Sequence, residues 1–219
     1  MKLRLYNYWR SSSAWRVRTA LALKNLPYEY LAIHLAKDGG EQWKPEYLAR
    51  NPQGMVPLLE IEEADGTHRS IGQSVAIIEY LNERVPEPPL LPADPYLRAR
   101  ARQLVEVVNS SIQPLQNSNV LKRVANELKS DDKAWAQFFM QRGLAALETL
   151  VGETAGCICV GDRATMSDIY LVPQLYNARR FGVELAPYPR LLTIEAACFE
   201  LPAFQAAHPD RQPDAQPAS

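Results

Sequence analysis

The chain is short of cysteine, histidine and net charge, and each shortage closes off a class of function. Its three cysteines, Cys157, Cys159 and Cys198, lie far from the amino terminus and have no metal or redox spacing. That count fits a reducing compartment rather than a disulfide framework. Cys157-Ile158-Cys159 sits in an apolar stretch, so both cysteines read as small buried core residues. His34, His68 and His208 are too far apart for a metal cluster or a catalytic triad, and His34 reads as a strand end that bonds locally. A net charge of −1 gives no electrostatic basis for binding nucleic acid or an anionic membrane. No apolar run is long enough to span a bilayer. Lys2, Arg4, Arg10, Arg16 and Arg18 interrupt the first thirty residues, so no apolar signal core is present. Gly72-Gln73-Ser74-Val75-Ala76 lacks the second glycine of a nucleophile elbow, and no phosphate loop or dinucleotide fingerprint appears. With 219 residues, 47% hydrophobic and 22% charged, the chain reads as a soluble, cytoplasmic protein of one large or two small domains.

What is present begins with Arg10-Ser11-Ser12-Ser13, between an alternating strand (residues 3–8) and a helix (residues 12–25) ended by Asn25 and Pro27. A strand over 29–34 follows, then a short helix over 41–50 around Trp43 and Tyr47, and a strand over 58–62. Asp65-Gly66 signals a hairpin returning through 67–70, and a strongly periodic helix covers 73–84. The order β-α-β-α-β-β-α resembles a thioredoxin-like domain, placed at residues 1–84. Pro86, Pro88, Pro89, Pro92 and Pro95 mark a linker at 85–95. Beyond it the pattern is all helical. Long helices cover 96–108 and 132–151, a kink is expected at Ile112-Gln113-Pro114, and a capping box at Thr165-Met166-Ser167-Asp168 precedes an apolar run. A helix over 189–200 follows. An α/β domain followed by an all-α domain at 96–212, with a loose tail at 213–219, is the expected organisation.

Three serines at a helix start exceed what capping requires. One reading is a turn that only caps. The other is a place where spare hydroxyls and the positive helix end hold an anion such as a thiolate. Val56-Pro57 ahead of a strand admits a cis bond, whose exposed neighbour could pair with a bound peptide in strand fashion, or a trans bond opening an edge strand. Gln73-Ser74 opens the next helix, with Ser74 as its cap and a second possible anion point. Together these features describe a site for a small thiol peptide bearing carboxylates. Tyr6 or Tyr8 is the competing thiolate donor if the serines are only caps.

The chain resembles the zeta class of glutathione transferases over almost its whole length. That class carries Ser-Ser-Cys-x-Trp-Arg-Val-Arg, which appears here as Ser11-Ser12-Ser13-Ala14-Trp15-Arg16-Val17-Arg18. Its Ile-Gln-Pro-Leu-Gln-Asn signature is complete at residues 112–117. Val160-Gly161-Asp162, Leu171-Val172-Pro173-Gln174, Pro187-Tyr188-Pro189 and His208-Pro209-x-Arg211-Gln212-Pro213 also match. The resemblance implies the glutathione transferase architecture, glutathione as cofactor, and a homodimer. It implies that Ser11 donates to the glutathione sulfur with Ser12 and Ser13 beside it. Gln42, Val56 (through its main chain), Gln73 and Ser74 would hold the rest of glutathione, and Gln113, Asn117 and Asn119 would line the cleft from the helical half. Arg10 and Arg180 would bind substrate carboxylates. No metal is implied. The activity implied is cis–trans isomerisation of maleylacetoacetate, a dicarboxylate keto acid of aromatic amino acid catabolism, by reversible thiolate addition. The alternatives are maleylpyruvate isomerisation, a conjugating or dehalogenating transferase, or a non-catalytic glutathione carrier. The class cysteine is replaced by Ser13, so disulfide exchange at that position is not expected. Arg179-Arg180 also reads as a solvated charge pair on a helix.

Overall fold

Alternation in the first strand sets up the sheet. β1 (Lys2–Asn7) buries Leu3, Leu5 and Asn7 and leaves the side chains between them more exposed. In the computed structural model, which describes residues 1–216, β1 pairs in parallel with β2 (Glu29–Ala32) on one side. On the other side it pairs antiparallel with β3 (Leu58–Glu62), which pairs antiparallel with β4 (His68–Gly72). The sheet order is β2-β1-β3-β4. The helices of this α/β unit are α1 (Ser12–Leu23), α2 (Pro45–Leu48) and α3 (Ser74–Arg84), and α1 packs on α3. The helix expected over 41–50 is split. A 3-10 turn at Glu41–Trp43 precedes α2, and Lys44 between them is extended (φ −66°, ψ 143°) because Pro45 disfavours a helical residue ahead of it.

The second unit, residues 89–201, is helical. It contains α4 (Pro95–Glu106), α5 (Ser118–Asn126), α6 (Asp132–Val151), α7 (Met166–Arg180) and α8 (Pro189–Phe199). Asp94 and Asp131 cap α4 and α6 by accepting the N–H groups of Leu97 and Ala134. The kink expected near Pro114 takes the form of a π-helical turn at Val107–Ile112 followed by a 3-10 turn at Gln113–Gln116. Gly143 lets α6 approach Ile112, where an added Cβ would lie 2.3 Å from the Ile112 Cδ1. The capping box forms. Asp168, fully buried, accepts from the Thr165 N–H at 2.8 Å, the Thr165 hydroxyl at 2.9 Å and the Cys159 N–H at 2.8 Å. Cys159 is buried as expected, whereas Cys157 is exposed. Its turn is folded around Asp162, whose carboxylate takes the Cys157 N–H at 2.9 Å and draws the residue to the surface.

The last segment departs from the expected organisation. α9 (Pro202–Ala207) packs on α1 and belongs to the first unit. Residues 208–212, expected in the helical domain, belong to the first unit as well, and the described part of the expected loose tail, 213–216, is tied down. Gln212 donates to the carbonyls of Ala206 and His208, and Asp214 accepts from the Trp9 N–H at 3.1 Å. Residues 217–219 of the expected tail lie outside the described residues.

Candidate functional site

Helix α1 explains why the serine triplet sits where it does. Ser11 is the N-cap, in extended conformation (φ −68°, ψ 117°), and its Oγ accepts the Ala14 N–H at 3.2 Å. Accepting leaves the hydroxyl hydrogen available to donate elsewhere. The Ser11 N–H donates to the Tyr8 carbonyl at 3.0 Å and its carbonyl takes the Trp15 N–H at 2.9 Å, so the residue is held from three sides. Ser12 is buried, with 9% of its surface exposed, and Ser13 is half-buried. Capping therefore occupies one of three hydroxyls. Arg10, immediately before the cap, is exposed, with its guanidinium carbon 5.4 Å from the centroid of the Trp9 ring. The buried Trp9 indole N–H has no partner among the described residues.

The buried face of α1 also carries charge. Arg16 and Arg18 are buried among apolar neighbours. Arg16 donates to the Ser74 Oγ at 3.4 Å, linking the starts of α1 and α3. Ser74 is not the cap the sequence suggested. It is the first residue of α3, and the cap position belongs to Gln73, which makes no capping bond. Gln73 adopts φ 67°, ψ 121°, a region costing a non-glycine residue about 1–3 kcal/mol and often associated with ligand contact. Its side chain donates to Gln53 Oε1 at 2.7 Å.

The Val56–Pro57 peptide is cis. The preceding loop is pinned by Tyr47 and Asn51, which both donate to the Met55 carbonyl, at 2.6 and 2.7 Å. The ladder begins only at Leu58, opposite Gly72, and no hydrogen bond among the described residues takes up the Val56 main chain. Gln42, 7% exposed, donates to the Leu35 carbonyl at 3.4 Å while its Oε1 is buried without a partner. A buried acceptor left unmade is costly and fits a ligand N–H. Gly40 and Gly54, both at positive φ, admit the Gln42 side chain and main chain at close range. His34 bonds locally, as expected. Its Nδ1 accepts the Ala36 and Lys37 N–H groups at 3.2 and 2.8 Å, and its own N–H donates to Glu41 at 2.7 Å.

Of the two tyrosines, Tyr6 is committed elsewhere. The Tyr6 hydroxyl donates to Glu60 at 3.1 Å, and burial followed by that carboxylate holds the phenol above its usual range. Tyr8 is buried against His34 and Trp9.

In the helical unit, Gln113 begins the 3-10 turn. Asn117 caps α5 by accepting the Asn119 N–H at 3.0 Å. Arg180 is exposed in the last turn of α7 and donates to Asn177 at 3.3 Å. Arg179 has a different fate. It forms a two-pronged pair with Glu195, a bond that holds its guanidinium charged above the usual range. Of the residues named from the sequence, Arg10, Ser11, Ser12, Ser13, Gln42, Val56, Gln73 and Ser74 lie in the α/β unit, and Gln113, Asn117, Asn119 and Arg180 lie in the helical one. The contacts of Trp9, Arg16, Arg18 and Asp214 around the start of α1 were not anticipated from the sequence. Two arginines within an otherwise apolar helix were the available signal. Among the described residues there is no cluster of metal-ligating side chains, and no helix is long and apolar enough to cross a membrane.

Residues 5–89 match the family model for the glutathione S-transferase N-terminal domain. The maleylacetoacetate isomerase of Rattus norvegicus is 50% identical over 210 residues, spanning 96% of this chain and 94% of that protein. The crystal structure of the Anaeromyxobacter dehalogenans maleylacetoacetate isomerase, with glutathione bound in its active site, is 57% identical, covers 98% of both chains and superposes with a TM-score of 0.91. The same protein with bound dicarboxyethyl glutathione and citrate is 56% identical over 99% of this chain and 98% of that one, with a TM-score of 0.90. A bacterial zeta-class maleylpyruvate isomerase is 42% identical over 97% of this chain and all of that one, also with a TM-score of 0.90. Identity near one half over nearly the full length of both chains, on the same fold, shows that this chain belongs to the maleylacetoacetate isomerase family, the zeta class of glutathione S-transferases.

Proposed function

We propose that this protein is an enzyme that converts maleylacetoacetate to fumarylacetoacetate with glutathione as cofactor. The observation carrying this reading is the arrangement at the start of α1, where spare serine hydroxyls and an exposed arginine adjoin the positive end of a helix. The residues fit glutathione. The partnerless Gln42 Oε1, the open main chain of Val56 and the strained Gln73 at the start of α3 are features a bound peptide would use. Gln42, Val56, Gln73 and Ser74 would hold its backbone and carboxylates, and Ser11 and Ser12 its sulfur, with Ser13 alongside. When bound, glutathione supplies a thiolate that adds reversibly to the alkene, making that bond single and free to turn.

Ser11 favours the ionised sulfur. A thiol with pKa about 8.5 is only a few per cent ionised at neutral pH. A hydroxyl bond to a charged group is worth about 1.5–3 kcal/mol, and a helix N-terminus adds about 0.3–1 kcal/mol. At 1.36 kcal/mol per unit, these lower the pKa by roughly 2 units. Arg10 binds a substrate carboxylate through its planar fork and stabilises the negative charge that develops on the adjoining carbonyl oxygen. Within the helical unit, Arg180, Gln113, Asn117 and Asn119 are the residues proposed to recognise substrate. Ser13 in place of a cysteine removes any protein thiol from this turn, which directs the site away from disulfide exchange. The protein is proposed to act in the cytoplasm as a homodimer.

Arg10→Ala tests the reading against the carrier alternative. An isomerase loses at least about tenfold in kcat/KM, the cost of one charge-assisted bond, while glutathione affinity is kept. Unchanged turnover in this variant would exclude the role given to Arg10. Comparing maleylacetoacetate and maleylpyruvate as substrates separates the two isomerase readings, and the relatives of both kinds make that comparison necessary.

A further inference from the structure

We propose that Asp214 and Arg18 are positioning residues, through which the carboxy-terminal segment sets the aim of Arg10 by gripping Trp9. This rests on the reading that Arg10 binds the substrate carboxylate.

Trp9 is held at both of its main-chain polar atoms, and by opposite charges. Its N–H donates to Asp214 Oδ2 at 3.1 Å, and its carbonyl accepts from Arg18 Nη2 at 2.9 Å. Arg18 is 1% exposed and serves as a junction. It also donates to Asn7 Oδ1 at 3.0 Å, to the Tyr8 carbonyl at 3.4 Å, and twice to the Ala207 carbonyl at the end of α9, at 3.2 and 3.3 Å. One buried guanidinium thus joins the end of β1, the turn before Ser11 and the carboxy-terminal segment. Burial lowers its pKa to about 10, against which Tyr30, Tyr28 and Asp214 act, so it stays charged at neutral pH. Asp214 is itself anchored, since its other oxygen accepts a short hydrogen bond from the Tyr30 hydroxyl on β2. The ring of His208 lies 5.2 Å from that of Trp15, and Gln216 contacts the His34 ring at 3.2 Å.

The consequence differs for the two functional neighbours of Trp9. Ser11 has its own three bonds to Tyr8, Ala14 and Trp15, none of which involves the carboxy-terminal segment. Arg10 is exposed and stacks over the Trp9 ring. Loosening Trp9 therefore disturbs the substrate carboxylate contact and leaves the thiol contact in place. A purely structural segment would weaken both together.

The test uses full-length Asp214→Ala and Asp214→Asn, with Tyr30→Phe as a milder variant that removes only the anchor of Asp214. Asp214→Ala is expected to raise KM for the dicarboxylate substrate roughly tenfold, the loss of one charge-assisted bond, with KM for glutathione within about twofold. Asp214→Asn, whose amide oxygen still accepts the Trp9 N–H, is expected to recover much of that loss. In an Arg10→Ala background, Asp214→Ala should add nothing to the substrate KM. Equal losses for substrate and glutathione, no change in either, or an undiminished effect without Arg10 would each overturn the inference. If Asp214→Ala does not fold, the same split read in Tyr30→Phe decides. Wild-type turnover that survives Arg10→Ala would refute the reading beneath the inference, a result distinguishable from intact Arg10 dependence with no Asp214 effect.

Discussion

Removing the Ser11 hydroxyl separates its two jobs. Ser11→Ala abolishes the bond from the Ala14 N–H at 3.2 Å, and loss of an N-cap costs about 1 kcal/mol. For a chain of this length that lowers Tm by roughly 2–4 °C. If the hydroxyl also donates to the glutathione sulfur, the variant loses a further interaction worth about 1.5–3 kcal/mol with a charged acceptor. That raises the thiol pKa of bound glutathione by roughly 1–2 units and lowers kcat/KM at neutral pH by roughly 10- to 150-fold. The pKa is read by ultraviolet titration of the thiolate in the binary complex, and stability by thermal unfolding without ligand. Ser11→Thr keeps both a cap and a donor and should retain most of both properties. A Ser11→Ala protein that loses stability but binds glutathione with an unshifted thiol pKa would show that Ser11 is only a cap, and would move the donor role to Ser12.

Three further outcomes follow from particular contacts. Gln42→Leu removes a buried acceptor that has no partner together with a long 3.4 Å bond to the Leu35 carbonyl; the two effects offset, so unliganded stability should change by less than about 1 kcal/mol, while calorimetric affinity for glutathione falls about tenfold or more. Gly143→Ala places a Cβ against the Ile112 side chain and should cost about 1–3 kcal/mol by overpacking, seen as a lower denaturant midpoint. His208 is held below its ordinary pKa by burial, with Asp210 acting in the opposite sense and Arg211 and Arg18 reinforcing the shift. The unfolded chain then takes up the proton first, so stability is full above about pH 6.5 and falls as pH drops below that value. His208→Gln should flatten that dependence between pH 7.5 and 5.5 in thermal unfolding.

The strands and long helices were legible because each has a single dominant signal. β3 and α6 run over the residues that their alternation and helical period mark out, and the Thr165–Asp168 capping box is a local pattern with a local outcome. Ser74 was misread as a cap because Gln73 takes a left-handed conformation that no propensity favours, moving the cap position back by one residue. The docked carboxy-terminal segment was invisible for a different reason. Its composition is that of a solvated tail, rich in Pro, Asp and Gln. What holds it is the bonding of Asp214 to the Trp9 N–H and the Tyr30 hydroxyl, partners nearly two hundred residues away in sequence. On the site side, the serine triplet and Gln73-Ser74 announced themselves through helix-start chemistry. Gln42 was reached only through the family resemblance, since a lone glutamine carries no local signal until its unpaired buried oxygen is seen.

The most direct test is absorbance-followed isomerisation of maleylacetoacetate by the purified protein, with and without glutathione. Turnover that requires glutathione, and leaves it unconsumed, is the predicted result. Glutathione binding without turnover, or turnover independent of glutathione, would contradict the account.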